Sequence, residues 1–434
     1  MPADRRQFLK VLGGTVGAAL VVPNFSSAAL RRVKAAVRRV AALAPEQAAR
    51  DEDFWFTVQH AFTVDRGLIN LNNGGVSPSP RVVQDALKRY NDFSNNAPTR
   101  TMWGILQPEL ETVRKRLARL AHADPEEIAI TRNTTESLHH VLFGIDLERG
   151  DEILTTNQDY PRMLNALKQR ELREGIVVKR ISVPVPPRHL DELADAFERA
   201  MTPQTKLVLV CHMVNLTGQI YPVRKICDAA HARGIPVVVD GAHTFAHVEC
   251  DMKALDCDYF GTSLHKWLTA SFGTGMLYVK RERIASLWPL FAHDDPKSAD
   301  IRKFEQIGTF PVAVPLSIGE AISFYEGIGP ERKRARLRYL THYWTSRLAG
   351  LPRVRLHTNL DPEHSCALAT VEIEGIDPGE LSSHLLSKHH IIVTPIVHPE
   401  FKGIRVTPNV YTLLSELDQF VAAMKDLARN GLPG

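Results

Sequence analysis

The chain lacks the features that mark most metal-binding and nucleic-acid-binding proteins. Its five cysteines form no C-x-x-C pair, which argues against a thiolate zinc site, and their odd number leaves nothing that requires a disulfide. The formal net charge over 434 residues is only +4, and much of the basic excess lies in the first fifty residues. We therefore expect no metal site and no nucleic-acid partner.

No apolar run near the N-terminus is long enough for a comfortable membrane span, which needs about 20 residues. The uncharged run from Val11 to Val22 is shorter, and it follows Arg5-Arg6-Gln7-Phe8-Leu9-Lys10. Twin arginines before a mild apolar segment resemble a bacterial twin-arginine (Tat) leader, although Asp4 stands where Ser or Thr is usual. We predict a signal peptide over 1–30, the Tat export machinery as a partner and a periplasmic or exported protein. An amphipathic N-terminal helix is the alternative.

The remaining length and composition are those of an ordinary globular protein of two or three domains, with 24% charged and 44% hydrophobic residues. We expect a solvated basic linker over 31–50; a helix on an anionic membrane surface is the alternative. An N-terminal segment over 51–95 is expected to join a small C-terminal domain over 316–434. A large domain would occupy 96–315.

Two short β-branched or aromatic runs end in residues with complementary chemistry. Val237-Val238-Val239 stops at Asp240, and Tyr259 to Thr262 leads through Ser263 to Lys266. Ligands of open α/β sheets bind at the carboxyl ends of strands. A buried lysine can bond covalently to an aldehyde, and a buried carboxylate can keep a pyridine nitrogen protonated. Alone, the Asp would be a cap and the Lys a solvated surface residue; together they suggest a pyridoxal phosphate site.

The motif D-x-A-H followed by S-x-H-K resembles the signature of class V aminotransferases, a branch of the fold-type I pyridoxal phosphate enzymes. The resemblance implies a covalent role for Lys266 and pairing of Asp240 with the ring nitrogen. It implies that His243 contacts the ring hydroxyl, and that Ser263 and His265 reach the phosphate.

Further cofactor contacts are implied by motifs at strand ends. Thr131 to Ser137 opens a helix after a strand, where backbone amides can bind phosphate, and the resemblance favours Thr134 and Thr135 over a plain N-cap. It also implies that Tyr160 stacks on the ring, with a core tyrosine as the alternative, and that Asn215 approaches the ring hydroxyl. Thr309 is implied to reach the phosphate of a neighbouring subunit, so a homodimer with shared active sites is expected.

Two residues are candidates for substrate binding. Arg405 lies in an R-x-T segment of an edge-like strand, and its planar fork matches a carboxylate; a surface arginine is the competing interpretation. Asn73 lies in L-N-N-G-G-x-x-P and is implied to touch substrate, with a plain turn as the alternative. Both assignments imply a small amino-acid-like substrate.

The alternation of strands and helices predicts the fold class. A strand at 206–210, a helix at 223–233 and a strand at 237–239 form a parallel βαβ unit. With the resemblance, this predicts an α/β fold-type I transferase. Its large domain would have a mainly parallel sheet between helices, and a smaller α+β domain would lie at the C-terminus.

The resemblance does not fix the reaction. Desulfurases of this family carry a nucleophilic cysteine shortly before the carboxylate-binding arginine, and the interval 394–403 has none; it has His398 instead. The motif set is nearest the isopenicillin N epimerase-like branch. We predict an enzyme that acts at Cα of an amino acid or peptide-like amine, by aminotransfer or epimerisation. The alternatives are a cysteine desulfurase or C–S lyase activity and a non-catalytic pyridoxal phosphate-binding protein.

Overall fold

The structure is a computed structural model that describes residues 28–433, so most of the predicted signal peptide lies outside the described residues. The first part of the chain is mainly helical. Its elements are α1 (Ala28–Arg39), α2 (Pro45–Ala48), α3 (Glu52–Gln59), β1 (Ile69–Asn70), α4 (Arg81–Ser94), a π-helix (Thr99–Leu106), a 3-10 turn (Gln107–Glu109) and α5 (Leu110–Ala121).

A seven-stranded sheet forms the large domain. Its elements after α5 are a 3-10 turn (Pro125–Glu127), β2 (Ile128–Thr131), α6 (Thr134–Gly144), β3 (Glu152–Thr156), α7 (Pro161–Glu174), β4 (Val177–Ile181), α8 (Leu190–Ala200), β5 (Thr205–Cys211), α9 (Val223–His231), β6 (Val237–Asp240), α10 (Met252–Leu255), β7 (Tyr259–Ser263), β8 (Gly275–Val279) and α11 (Arg281–Ile284). The strand order is β2-β8-β7-β6-β5-β3-β4, and only β8 runs antiparallel to its neighbours.

The central strands are buried on both faces, as expected when helices cover both sides of a parallel sheet. Every residue of β6 and β7 is buried. Two apolar clusters, one on each side, hold the helices against the sheet. The predicted α/β architecture is confirmed, and it brings the ends of β3, β5, β6 and β7 to one edge.

The C-terminal part of the chain builds a smaller α+β unit. It is preceded by a 3-10 helix (Ile301–Glu305), α12 (Ala313–Leu316) and α13 (Ile318–Ile328), whose buried residues join the apolar clusters of the large sheet. The elements of the smaller unit are α14 (Pro330–Leu348), β9 (Val354–Leu356), β10 (Ala369–Ile373), α15 (Pro378–His389), β11 (Ile391–Ile392), β12 (Thr394–Val397), β13 (Lys402–Val406) and α16 (Leu414–Asn430). An antiparallel sheet has the order β12-β13-β10-β9, so the edge-strand prediction for the segment around Arg405 is wrong. The sequence of β13 includes a lysine, a glycine and an arginine, a composition more typical of an edge strand than of a central one.

The N-terminal segment is tied to this smaller unit and to the large domain. β1 pairs in parallel with β11, and Ile69 and Leu71 lie in the apolar core of the small unit. The solvated-linker prediction for 31–50 is wrong, because Val33, Ala36 and Val40 are buried in a cluster with Trp55. Within residues 28–433, no helix is long and apolar enough to cross a bilayer.

Candidate active site

Asp240 is placed by the last residue of β6 at the carboxyl edge of the large sheet. Its side chain is buried, and it accepts a hydrogen bond from the Ala242 backbone N–H at 3.0 Å. Burial raises the pKa of this carboxyl, while the Ala242 N–H and the nearby Lys266 act in the opposite direction. The group therefore lies where a cationic partner would stabilise its charged form.

Lys266 follows the neighbouring strand β7. Its Nζ lies 3.3 Å from Nε2 of His243, which comes three residues after Asp240. Burial lowers the pKa of Lys266 to about 8, with Arg405 adding to the decrease and Asp240 opposing it. An amine with this pKa is partly unprotonated near neutral pH, as a nucleophile or base must be.

A polar cup lies at the start of α6, beside the end of β7. The Ser263 hydroxyl accepts from the Thr134 backbone N–H at 3.0 Å and lies 2.7 Å from the Thr134 hydroxyl. The Asn133 side chain caps the helix by accepting from the Glu136 N–H, and Thr135 is half-buried next to Thr134. A helix N-terminus with two hydroxyls is suited to an anion such as phosphate.

Arg405 points from the central strand β13 of the small sheet. Its Nη1 donates to the Asn215 carbonyl at 2.9 Å, and its Nη2 donates to the Asn72 side-chain oxygen at 2.9 Å and to the Thr394 hydroxyl at 3.3 Å. Its Nε is buried and has no partner. Burial lowers the pKa of this guanidinium to about 10, and within residues 28–433 no carboxylate is among the groups that shift it. A substrate carboxylate would supply the missing charge.

Asn73, which was expected to touch the substrate, has its side-chain polar atoms paired within the protein. Asn73 is fully buried, its amide nitrogen donates to the Asn70 and Thr407 carbonyls, and its oxygen accepts from Tyr411 at 2.5 Å. Asn72, the preceding residue, is the one beside Arg405. In a turn, the two adjacent side chains point in different directions, and the motif does not say which one faces the site.

Three other predicted site residues are Tyr160, His265 and Thr309. Tyr160 precedes α7, is 40% exposed and lies close enough to Arg405 to influence its pKa. The ring of His265 is fixed by a contact of 3.1 Å between Nδ1 and the Thr274 carbonyl. Thr309 is exposed and has no contact with the Lys266 side chain in the structure described over 28–433. The role implied for Thr309 concerns a neighbouring subunit and stays a prediction.

Several buried polar atoms at this edge have no partner, although such atoms are nearly always paired in folded proteins. They are Oδ1 of Asn215, Oδ1 of Asp159, Nδ1 of His212 and Nε of Arg405. With the acid, the amine, the anion cup and the guanidinium, they fit a phosphorylated pyridine aldehyde and an amino-acid carboxylate. Asp159 and His212 were missed because a single polar residue after a strand carries no distinctive spacing.

Comparison with known proteins decides the family. The profile of the family described as aminotransferase class-V matches residues 69–395, which is most of the chain. The chain belongs to the aminotransferase class-V family. It is a pyridoxal phosphate-dependent enzyme, and the polar edge described above is its candidate cofactor site.

Among curated relatives, an isopenicillin N epimerase from Streptomyces clavuligerus is 30% identical over 393 residues, covering 86% of this chain and 98% of the relative. An isopenicillin N epimerase from Amycolatopsis lactamdurans is also 30% identical, over 394 residues, 86% of this chain and 99% of the relative. A probable cysteine desulfurase from Synechocystis sp. is 27% identical over 394 residues, 83% of this chain and 91% of the relative. Relatives of this chain therefore include both isopenicillin N epimerases and a probable cysteine desulfurase, so family membership alone does not determine the reaction.

The fold is shared with a solved cysteine desulfurase in its apo form from Thermococcus onnurineus. The TM-score is 0.76 at 24% identity, with 86% of this chain and 98% of the other covered. This likeness concerns the fold, and the reaction has to be argued from the residues of the site.

Proposed function

We propose that this enzyme moves a proton at Cα of an amino acid or a small peptide-like amine, as an epimerase or an aminotransferase, without a sulfur relay. The observation that carries the proposal is the convergence of the Lys266 amine, the buried Asp240 and the Arg405 guanidinium at one sheet edge. The two epimerase relatives at 30% identity make epimerisation the first candidate.

The hairpin before Arg405 argues against a desulfurase. β12 and β13 are joined only by His398 to Phe401, where the His398 N–H donates to the Phe401 carbonyl at 2.9 Å. His398 stacks on Phe401, and its Nε2 lies 3.2 Å from the Asn157 carbonyl. This turn has no cysteine, so it cannot supply the nucleophile of a desulfurase.

The cysteines are also unsuited to nucleophilic attack. All five are free and buried, and burial raises the pKa of each thiol. Cys211, at the end of β5, is the one whose charge would be felt by Lys266. Since the thiolate is the reactive form, a persulfide step at any of these residues is disfavoured.

The residues of the site have separate tasks in the proposed reaction. Arg405 and Asn72 orient the substrate carboxylate, and the Thr134–Ser263 cup holds the cofactor phosphate. When bound, pyridoxal phosphate supplies the electron sink that makes the Cα proton removable. Asp240 keeps its ring nitrogen protonated, and Lys266 accepts the Cα proton.

Two further features are proposed around this chemistry. The enzyme works as a homodimer in which Thr309 of each subunit reaches the phosphate of the other; the large exposed apolar side chains of Trp103 and Phe272 support such a contact.

The N-terminal Arg5-Arg6 motif supports export through the Tat pathway to the periplasm. Replacement of both arginines by lysine is expected to retain the protein in the cytoplasm, and undiminished periplasmic recovery would contradict export.

Exchange in deuterated water tests the reaction. Purified enzyme is incubated with amino acids of both configurations and with small peptides, and deuterium at Cα is followed by NMR. We expect exchange with at least one substrate, with inversion for an epimerase or a keto acid product for an aminotransferase, and none with Lys266→Ala. Conversion of cysteine to alanine, with sulfide released by an added thiol reductant, would favour a desulfurase. Cofactor binding without any exchange would favour a non-catalytic protein.

A further inference from the structure

Trp267, the residue after Lys266, makes a contact that neither the motif nor the proposed reaction uses. Its side chain is fully buried, and its indole N–H donates to Nδ1 of His243 at 3.4 Å. The other nitrogen of the same imidazole, Nε2, lies 3.3 Å from Nζ of Lys266. Trp267 therefore contacts the reactive amine only through His243.

The donor direction fixes the proton of His243. Burial lowers the pKa of His243 well below its ordinary value, with Lys266 and Arg405 contributing, so the ring is neutral. A neutral imidazole has one N–H and one acceptor nitrogen. Because the indole can only donate, Nδ1 must be the acceptor and the proton must be on Nε2.

A second histidine holds the indole in place. The His247 ring stacks on Trp267 with centroids 3.6 Å apart and an interplanar angle of 16°. Its Nε2 accepts from the Ala367 backbone N–H at 2.9 Å, which places its proton on Nδ1, 2.7 Å from the His243 carbonyl. The Trp267 carbonyl accepts from the buried Lys333 amine. Every donor of this array has a fixed direction.

We propose that Trp267 is a positioning residue that holds His243 in the Nε2–H tautomer, so that the imidazole presents a donor to the Lys266 amine. A neutral amine accepts a hydrogen bond from this N–H through its lone pair. An ammonium group has only donors, so it cannot form a hydrogen bond with the N–H of His243, and the two donors would repel each other. The array therefore favours the unprotonated lysine. The inference deepens the proposed function, because it concerns the amine that acts there.

Other charged groups also face Lys266, and they set the baseline for the test. Asp240 from β6 and Cys211 from β5 favour the ammonium, while Arg405 from β13 disfavours it. His265 on the same loop is half-buried, and its pKa is lowered by burial and by Lys266. None of these groups contacts the Trp267 indole nitrogen, so a change at Trp267 isolates the tautomer effect.

The first test reads the tautomer directly. Full-length protein freed of cofactor is labelled with ¹⁵N-histidine, and the ring-nitrogen shifts of His243 are assigned by comparison with His243→Gln. We expect a protonated Nε2 and an unprotonated Nδ1 in the native protein, and tautomer exchange in Trp267→Phe, which keeps the stack on His247. A native His243 with its proton on Nδ1 would overturn the proposal.

The second test measures the consequence for Lys266. The rate at which added pyridoxal phosphate bonds to the lysine is followed by absorbance from pH 6 to 10. We expect the midpoint of this profile to rise by about 0.5 to 1 pH unit in Trp267→Phe, the size of one hydrogen bond converted to a pKa shift. An unchanged midpoint in a folded Trp267→Phe would contradict the inference.

The tautomer measurement on the native protein does not depend on the folding of Trp267→Phe. In the background of His243→Gln, Trp267→Phe should leave the midpoint of that background unchanged, because the indole acts on Lys266 through the imidazole. A rise of a full unit caused by Trp267→Phe in that background would count against the proposal. Because bond formation needs no substrate, a native profile in a protein that exchanges no Cα proton would count against the proposed function alone.

Discussion

At the scale of single residues, the site is a set of charges that the chain leaves without full compensation. Lys266 has a pKa of about 8, and Arg405 has a pKa of about 10, both lowered chiefly by burial. Asp240 is shifted in the opposite direction for the same reason. Such opposed shifts at one edge are typical of a functional centre, where a ligand completes the charge balance.

The lowered pKa of Lys266 predicts a pH-dependent cost in stability. The folded value of about 8 is below the ordinary 10.5, so the folded state binds fewer protons than the unfolded one. The penalty is complete below pH 8 and disappears as the pH rises towards 10.5. Without cofactor, Lys266→Met should therefore be more stable than the native protein by about 1 to 2 kcal/mol at pH 7. Urea unfolding at pH 7 and 10 measures this, and an equal gain at both values would contradict the assignment.

Arg405 gives a second prediction at this scale. Lysine keeps the charge but loses the planar fork that engages Asn72 and the Asn215 carbonyl. Arg405→Lys should lower kcat/KM for a substrate with a free carboxylate by about 10- to 100-fold, as expected for a charged hydrogen bond. Steady-state kinetics measure it. A matched amide substrate, which lacks the charge, should lose less; equal losses for both would argue against carboxylate binding.

At the scale of elements, sequence patterns predicted the strands that carry the site and missed contacts between distant segments. β6 and β7 could be predicted because β-branched and aromatic runs end sharply at polar residues. The contact of Trp267 with His243 was not predictable, because it depends on how two loops from neighbouring strands fold over each other. The choice between Asn72 and Asn73 depended on turn geometry in the same way.

The sequence of helix α1 contains an apolar pattern that predicts packing, but its basic composition was given more weight. Val33, Ala36 and Val40 recur at helical spacing and form a buried face, while the many basic residues favoured a solvated linker. Val33→Asp should lower the free energy of unfolding by about 2 to 4 kcal/mol, because it buries an unpaired charge. The exposed neighbour Arg32 provides the control, since Arg32→Asp should change it by less than about 0.5 kcal/mol. Denaturant titration measures the free energy of unfolding of both variants, and equal changes in the two would contradict packing of α1.

At the scale of the whole molecule, the alternation of strands and helices predicted a parallel α/β unit, and the family resemblance supplied the two-domain architecture. The carboxyl ends of parallel strands lie at one edge of a sheet, so Asp240 and Lys266 could be expected there from their positions after strands. The other predicted site residues depended on the resemblance to class V aminotransferases. The place of the N-terminal segment was harder to predict, because β1 is two residues long and pairs with β11 more than three hundred positions away. Contacts of such range leave no periodic signal.

The central claim is that Lys266 is the amine that bonds to the cofactor. The molecule contains another buried lysine that could compete for this role. Lys333 is buried, and its pKa is lowered to about 7, so it also offers an unprotonated amine near neutral pH. Borohydride reduction of the holoenzyme followed by peptide mass spectrometry locates the cofactor. We predict a pyridoxyl phosphate adduct on the peptide that contains Lys266 and none on the peptide that contains Lys333. An adduct on Lys333, or no adduct on Lys266 in protein that carries the cofactor, would contradict the account.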